Sequence, residues 1–148
     1  SNSMDYSKEI SKLIVELSEK IGKPLTSDDF YIQYQSLGHK PMPLPKDKIA
    51  VYTFVYMGQF LKIGQANSKS KARYQSHHYY IKSGKSTLAN SLLKDKTMST
   101  IVDSNNITQW IKVNCERFDV IMDAKLGKLT LNFIEGILHY KFNPKFEG

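Results

Sequence analysis

Apolar residues recur at helical spacing in the stretch DYSKEISKLIVELSEKI, where Ile10, Leu13, Ile14, Leu17 and Ile21 share one side and Lys and Glu fill the other. The spacing predicts a helix over 5–21, stopped by Gly22 and Pro24. Ser27 then offers a capping oxygen, and Asp28 and Asp29 complement a helix N-terminus. A second short helix carrying Phe30, Tyr31 and Tyr34 is therefore expected, ending near Gly38. The prolines of PMPLP exclude regular structure, and the segment reads as a stiff tether.

The pattern changes at AVYTFVYMGQFLKIGQA. Residues 50–57 are β-branched and aromatic, Gly58-Gln59 reads as a tight turn, and Phe60-Leu61-Lys62-Ile63 returns as an antiparallel strand. The first strand is apolar on both faces, which predicts a central position covered by helices. SKSKARYQSHHYY and STLANSLLKDK follow as two helices, the second capped by Ser86 with Leu88, Leu92 and Leu93 as its buried stripe. After Asn105-Asn106, ITQWIKVN alternates as a third strand. Residues 116–121, ERFDVI, fit either a strand extension or a docked loop. The last helix is expected from Lys128 to Tyr140, with Leu131, Ile134 and Leu138 inward and Pro144 beyond its end. The fold class is α/β (α+β): a small mixed or antiparallel sheet of about three strands, flanked by helices. Residues 1–3 read as an expression scar, 4–48 as an N-terminal helical extension with its tether, and 49–148 as the main domain.

Composition narrows the class. A chain of 148 residues, 41% hydrophobic and 24% charged, suits one globular domain. No apolar run approaches the roughly 18 residues of a membrane span, and no secretory signal opens the chain, so a cytoplasmic protein is expected. The single cysteine, Cys115, allows no internal disulfide or metal cluster and reads as a buried small hydrophobe. Twenty-one Lys and Arg against fourteen Asp and Glu leave a net charge of +7, clustered locally over Lys62 to Lys85. Such an excess favours a polyanionic partner, above all nucleic acid. The string GKST at 84–87 is no phosphate-binding loop, because Tyr79 stands where that loop needs its first glycine and no buried strand leads into it.

VY at 51–52, KIG at 62–64 after a hairpin turn, Arg73 and His77 on the next helix, Glu135 on the last helix and the tail FNPKFEG follow in order. Together they resemble the GIY-YIG nuclease family, in a variant form with lysine in place of the second tyrosine. The resemblance covers about residues 49–148. It implies that fold, metal-dependent cleavage of DNA (or RNA) leaving a 5′-phosphate and a 3′-hydroxyl, and site residues Tyr52, Lys62, Arg73, His77 and Glu135. Ala50 stands where the family has its first glycine, and Lys145-Phe146-Glu147 where it has a closing asparagine.

The same residues carry a physical reading. Phosphodiester hydrolysis needs an activated water, positive charge around the phosphorus and help for the departing oxygen. Tyr52 serves as general base only if a cation lowers its phenol pKa from about 10. Lys62 on the partner strand is the candidate, since Leu61 and Ile63 are expected to point the other way; the alternatives are a core tyrosine and an edge-strand lysine. Arg73 and His77, four residues apart on one helix face, would hold and neutralise one phosphate, and His77 could accept a proton from Tyr52. His78, about 100° around that helix, reads as a surface residue. Glu135, in the apolar run LTLNFIEGILHY, is either a solvated position or a ligand for a single Mg²⁺ or Mn²⁺, with His139 four residues on as its possible hydrogen-bond partner. Lys69, Lys71, Tyr74, His78, Lys82, Lys85 and Asn143 complete the expected DNA-binding set, Asn143 having the alternative of ending the helix. A second reading keeps the fold and basic face as a non-catalytic nucleic-acid-binding module. A third assigns the N-terminal helices to a protein partner or to self-association.

Overall fold

The structure, a computed structural model, describes residues 3–146. Ser1 and Asn2 of the expected scar, and Glu147 of the tail, lie outside the described residues. Four strands, β1 (Phe30–Gln35), β2 (Lys48–Tyr56), β3 (Gln59–Ala66) and β4 (Cys115–Asp123), form one sheet in the order β1-β4-β2-β3 with every neighbouring pair antiparallel. Helices α1 (Ser3–Lys20) and α5 (Gly127–Phe142) cover one face, where Ile10, Ile14, Leu131, Ile134 and Leu138 pack on Val51, Val55, Phe118 and Val120. Helices α2 (Lys71–Gln75), α3 (Leu88–Lys94) and α4 (Ile107–Asn114) cover the other, around Tyr52, Phe54, Tyr74, Tyr79, Leu92 and Ile111. The sheet is thus buried on both faces, which is why its central strands carry almost unbroken apolar runs. No helix among the described residues is long and apolar enough to cross a membrane.

The β2–β3 hairpin forms, with its turn one residue earlier than expected. Tyr56 pairs with Gln59, leaving Met57-Gly58 as a two-residue loop with φ of 48° and 79°. Positive φ at both positions matches the right-handed twist of the strands, and glycine supplies it without a Cβ penalty. The register then shifts between Phe54 and Val55: Val55 pairs with Phe60 but Phe54 with Lys62, so Leu61 is the extra residue of a bulge. An unbroken register from that turn would set Lys62 across from Thr53, on the α1/α5 side. The bulge turns Lys62 and Gly64 onto the side of Phe54 and Tyr52 instead. Leu61 packs in the cluster containing Tyr52, whereas Ile63 packs against α5's side, so only Ile63 points away as expected.

Two expected elements differ, and one left open is a strand. The helix predicted from Ser27 is strand β1, hydrogen-bonded to β4 from Phe30↔Met122 to Gln35↔Arg117. The cap-like residues close a turn instead: Thr26 N–H donates to Asp29 Oδ2 at 2.7 Å and Asp28 N–H to Thr26 Oγ1 at 3.2 Å. The strand predicted over 107–114 is helix α4. Ile107 and Ile111, one turn apart, are buried, and Val113, which an alternating strand would bury with them, is 45% exposed. Over eight residues the two periods are hard to separate, and packing against α3 selects the helix. The ambiguous 116–121 lies inside β4, paired on both sides. The sheet therefore has four strands, not three.

Nor do residues 4–48 form an appendage. Ile10 and Ile14 of α1 are fully buried, β1 completes the sheet, and Leu44 within the proline-rich stretch packs into the α2–α4 core. This segment holds one helix, α1, and not two; Ile10 and Ile14 face the sheet, while Leu17 is 38% and Ile21 62% exposed.

Candidate active site

One cleft of about 390 Å³ opens at the outer edge of β3. Tyr52 from β2, Lys62, Gly64 and Gln65 from β3, Arg73 from α2, His77 and His78 from the turn after it, Ser86 from the next loop, and Glu135 and His139 from α5 line it. Tyr52 and Glu135 stand on opposite faces of the sheet, since Tyr52 packs with the α2–α4 side and α5 covers the other. They reach a common space because β3 is an edge strand and because Gly64, directly across from Tyr52, has no side chain to close the passage. The rest of that edge is covered: Lys145 and Phe146 N–H groups donate to the carbonyls of Phe60 and Leu61, at 3.0 and 2.9 Å, and the His139 ring nitrogen Nε2 lies 3.0 Å from the Ile63 carbonyl. A larger, mostly apolar hollow between α1 and α5, with Leu13, Leu17, Phe133 and Ile137 in its wall, shares no lining residue with this cleft.

Tyr52 is 2% exposed, and its hydroxyl lies 2.7 Å from Nε2 of His78. Burial pushes its phenol well above the usual range, while Arg73 and Arg117 pull the other way. The phenol thus stands above its usual value, not below it as expected, because burial outweighs the cations around it. Lys62 is itself buried, 5% exposed, on the cleft wall.

The segment 68–80 is not one helix. It breaks at Ser76 after α2 and continues as a 3₁₀ turn, His77–Tyr79, so Arg73 and His77 do not share a helix face. Both nevertheless line the cleft. His77 is held below the usual imidazole range by burial, Arg73 and Lys62. The break also turns His78 inward. Expected on the surface, it is 3% exposed, and burial together with Lys62 and His77 lowers its pKa to about 3.

Glu135 is half-buried. Its Oε1 accepts from Gln65 Nε2 at 2.5 Å, and its Oε2 lies 3.5 Å from His139 Nε2. Gln65 also donates to Asn132 Oδ1 at 2.9 Å. Among the described residues no three His, Cys, Asp or Glu gather into a metal cage, and Glu135 is the one carboxylate lining the cleft. Magnesium keeps several waters and takes one or two carboxylates plus substrate phosphate, so this donor set fits a magnesium-type ion shared with substrate.

The remaining expected contacts divide. Lys69, Lys71, Arg73, Lys82 and Lys85 are exposed along the segment that supplies His77 and His78. Tyr74 is fully buried, its hydroxyl donating to Asp119 Oδ2 at 3.0 Å, and cannot face DNA. Asn143 ends α5 in the left-handed conformation, its N–H donating to the His139 carbonyl. The third helix is capped by Thr87 in place of Ser86. Cys115 is buried, with its thiol pushed up to about 12 by burial, as a small hydrophobe should be.

Beneath the cleft lies a buried network that sequence reasoning missed. Arg117 and Asp119 of β4 are both 0% exposed, with Nε 3.3 Å from Oδ2. Asp119 also accepts from Thr53 N–H and Gln35 Nε2, both at 2.9 Å. The Arg117 guanidinium lies 4.5 Å from the Phe54 ring centre and 4.8 Å from that of Tyr74, and Nη1 donates to the Tyr79 hydroxyl at 3.1 Å. Burial raises the Asp119 carboxyl against the pull of Arg117, but three hydrogen-bond donors on its two oxygens, beside the Arg117 guanidinium, fit a carboxylate. Two charges at i, i+2 within ERFDVI were the available signal: both point to one face of a strand, and a strand covered on both faces must pair them.

Comparison with protein-family models, curated proteins and solved structures finds no match to this chain.

Proposed function

We propose that this protein is a divalent-metal-dependent endonuclease of the GIY-YIG type, hydrolysing DNA phosphodiester bonds. The observation that carries the reading is the convergence of Tyr52, Lys62, Arg73, His77 and Glu135, from five separate elements, on one cleft. Cationic groups beside a single carboxylate suit a phosphate that arrives with its own metal. Arg73 grips phosphate oxygens, and Lys62 adds charge where it develops on the phosphorus. Glu135, oriented by Gln65, would hold Mg²⁺ or Mn²⁺, which when bound polarises the phosphoryl group and stabilises its charge.

Tyr52 acts as base after losing its proton to solvent. Its phenolate takes a proton from the attacking water as the water oxygen bonds to phosphorus and the P–O3′ bond breaks. The 3′-oxygen leaves with a proton from cleft water, giving a 5′-phosphate and a 3′-hydroxyl. His77, neutral, orients the water by hydrogen bonding. The exposed lysines 69, 71, 82 and 85 supply salt-dependent, sequence-independent affinity for the backbone.

One observation favours the rival reading, a non-catalytic nucleic-acid-binding module: the buried phenol is a poor base at neutral pH. The chemistry of the ends decides between them. Nicks made in the presence of Mg²⁺ should be sealed by a DNA ligase, which requires a 5′-phosphate beside a 3′-hydroxyl. Binding without nicks, or nicks that do not seal, contradicts the proposal.

A further inference from the structure

His78 makes two hydrogen bonds whose directions fix each other. Nδ1 faces the backbone N–H of Leu88 at 3.1 Å, and an N–H can only donate, so Nδ1 carries no proton. Leu88 is the first residue of α3, and its N–H is one of those a helix cannot satisfy internally. Thr87 Oγ1 caps Asn90 instead, leaving the Leu88 N–H to the imidazole. A neutral imidazole then has its one proton on Nε2, 2.7 Å from the Tyr52 hydroxyl oxygen. The ring cannot rotate to exchange these roles, because it packs against Tyr52, Phe54 and His77 at centroid distances of 5.1, 5.7 and 5.3 Å.

We infer that His78 is a positioning residue: a fixed N–H donor to the Tyr52 oxygen, never its base, which turns the tyrosine's own proton into the cleft. A phenolic oxygen holds its proton and its acceptor sites near the ring plane. With one of those directions taken by His78, the Tyr52 O–H is directed to the side where Gly64, Lys62 and Arg73 open onto solvent. Once that proton is lost, the same N–H remains to stabilise the phenolate. Protonating His78 would put a second N–H against that of Leu88. The groups facing the ring add to this cost: Lys62 from β3, Arg73 from α2, Arg117 from β4 and the adjacent His77 all oppose a positive charge there.

The catalytic consequence rests on the nuclease reading, but the hydrogen-bond direction does not. Nitrogen-15 spectra of histidine-labelled full-length protein, with the His78 signals assigned by their loss in His78→Gln, read the tautomer directly. The expected result is a neutral ring protonated at Nε2 at every pH from 8 down to 5. A ring protonated at Nδ1, or an imidazolium at neutral pH, overturns the inference whether or not the protein cleaves DNA. In the cleavage assay His78→Ala should lower kcat at least tenfold with KM within twofold, and His78→Gln, whose amide can still donate, should recover most of it. Equal loss in both variants, with both folded by circular dichroism, also overturns it. If the tautomer is as stated and wild type does not cleave, the failure belongs to the nuclease reading alone.

Discussion

Gly64 stands directly across the hairpin from Tyr52, and a Cβ placed there would lie 2.3 Å from the phenolic oxygen and 2.5 Å from Cζ. The glycine is thus the space that the tyrosine ring occupies, and the KIG sequence is a steric requirement of the site. Gly64→Ala must push a fully packed ring off its rotamer, at about 1–3 kcal/mol. The expected outcome is a folded protein with a lower melting temperature and at least tenfold less cleavage. An alanine variant cleaving at the wild-type rate would place the Tyr52 oxygen outside the chemistry.

The pH dependence follows from the same tyrosine. Burial first, against Arg73 and Arg117, raises the phenol above its usual range, so only a small fraction is phenolate at neutral pH. Because kcat/KM reports the ionisation of the free enzyme, its logarithm should climb with pH at close to unit slope from pH 7 to 9, without a plateau. A plateau below pH 8 would mean that another group is the base.

Gln65 holds one oxygen of Glu135, and second partners of this kind typically tune metal affinity by about 10–100-fold. Gln65→Ala should therefore raise the Mg²⁺ concentration giving half-maximal cleavage about tenfold or more, with the rate at saturating metal changed far less. A titration of nicking against Mg²⁺, wild type beside the variant, measures both.

Acid should destabilise the fold through His78. Its pKa of about 3 in the folded chain lies below the ordinary 6.5, so between those values the unfolded chain binds the extra proton. Stability from this group is complete above pH 6.5 and falls as the pH drops towards 3, by a few kcal/mol at about 1.4 kcal/mol per unit. His39 and His77, also lowered, act with the same sign. Urea unfolding at pH 7 and 4.5 should show a smaller loss for His78→Gln than for wild type.

Arg117 and Asp119 test the buried network. Removing one partner strands the other charge at 0% exposure, which costs about 3–5 kcal/mol. Arg117→Met should unfold at markedly lower denaturant, and Arg117→Met with Asp119→Leu should recover part of the loss. Losses that simply add would mean the two charges do not depend on each other.

How much of this was legible in the chain depends on where the deciding force acts. The hairpin and the first and last helices follow from local patterns: β-branched runs, helical stripes and turn residues. The grouping of Tyr52, Lys62, Arg73, His77 and Glu135 comes instead from the resemblance in motif order. What failed was decided by tertiary contact. β1 is a strand because β4 offers it an edge, and α4 is a helix because Ile107 and Ile111 meet a core that Val113 does not reach. The bulge at Leu61 re-aims Lys62, yet no residue type announces it. His78 moved from the surface to the centre of the site because the helix breaks at Ser76, one residue before the pair of histidines. A one-turn break rotates everything after it.

The most direct test is nicking of supercoiled DNA with Mg²⁺ or Mn²⁺ by wild type beside Glu135→Ala, with DNA affinity measured for both. Wild type should nick in a metal-dependent way and the variant should not, with affinity retained within a few-fold because the lysines are untouched. Equal nicking by both proteins, or binding by both with no nicking at any metal concentration, would contradict the nuclease reading.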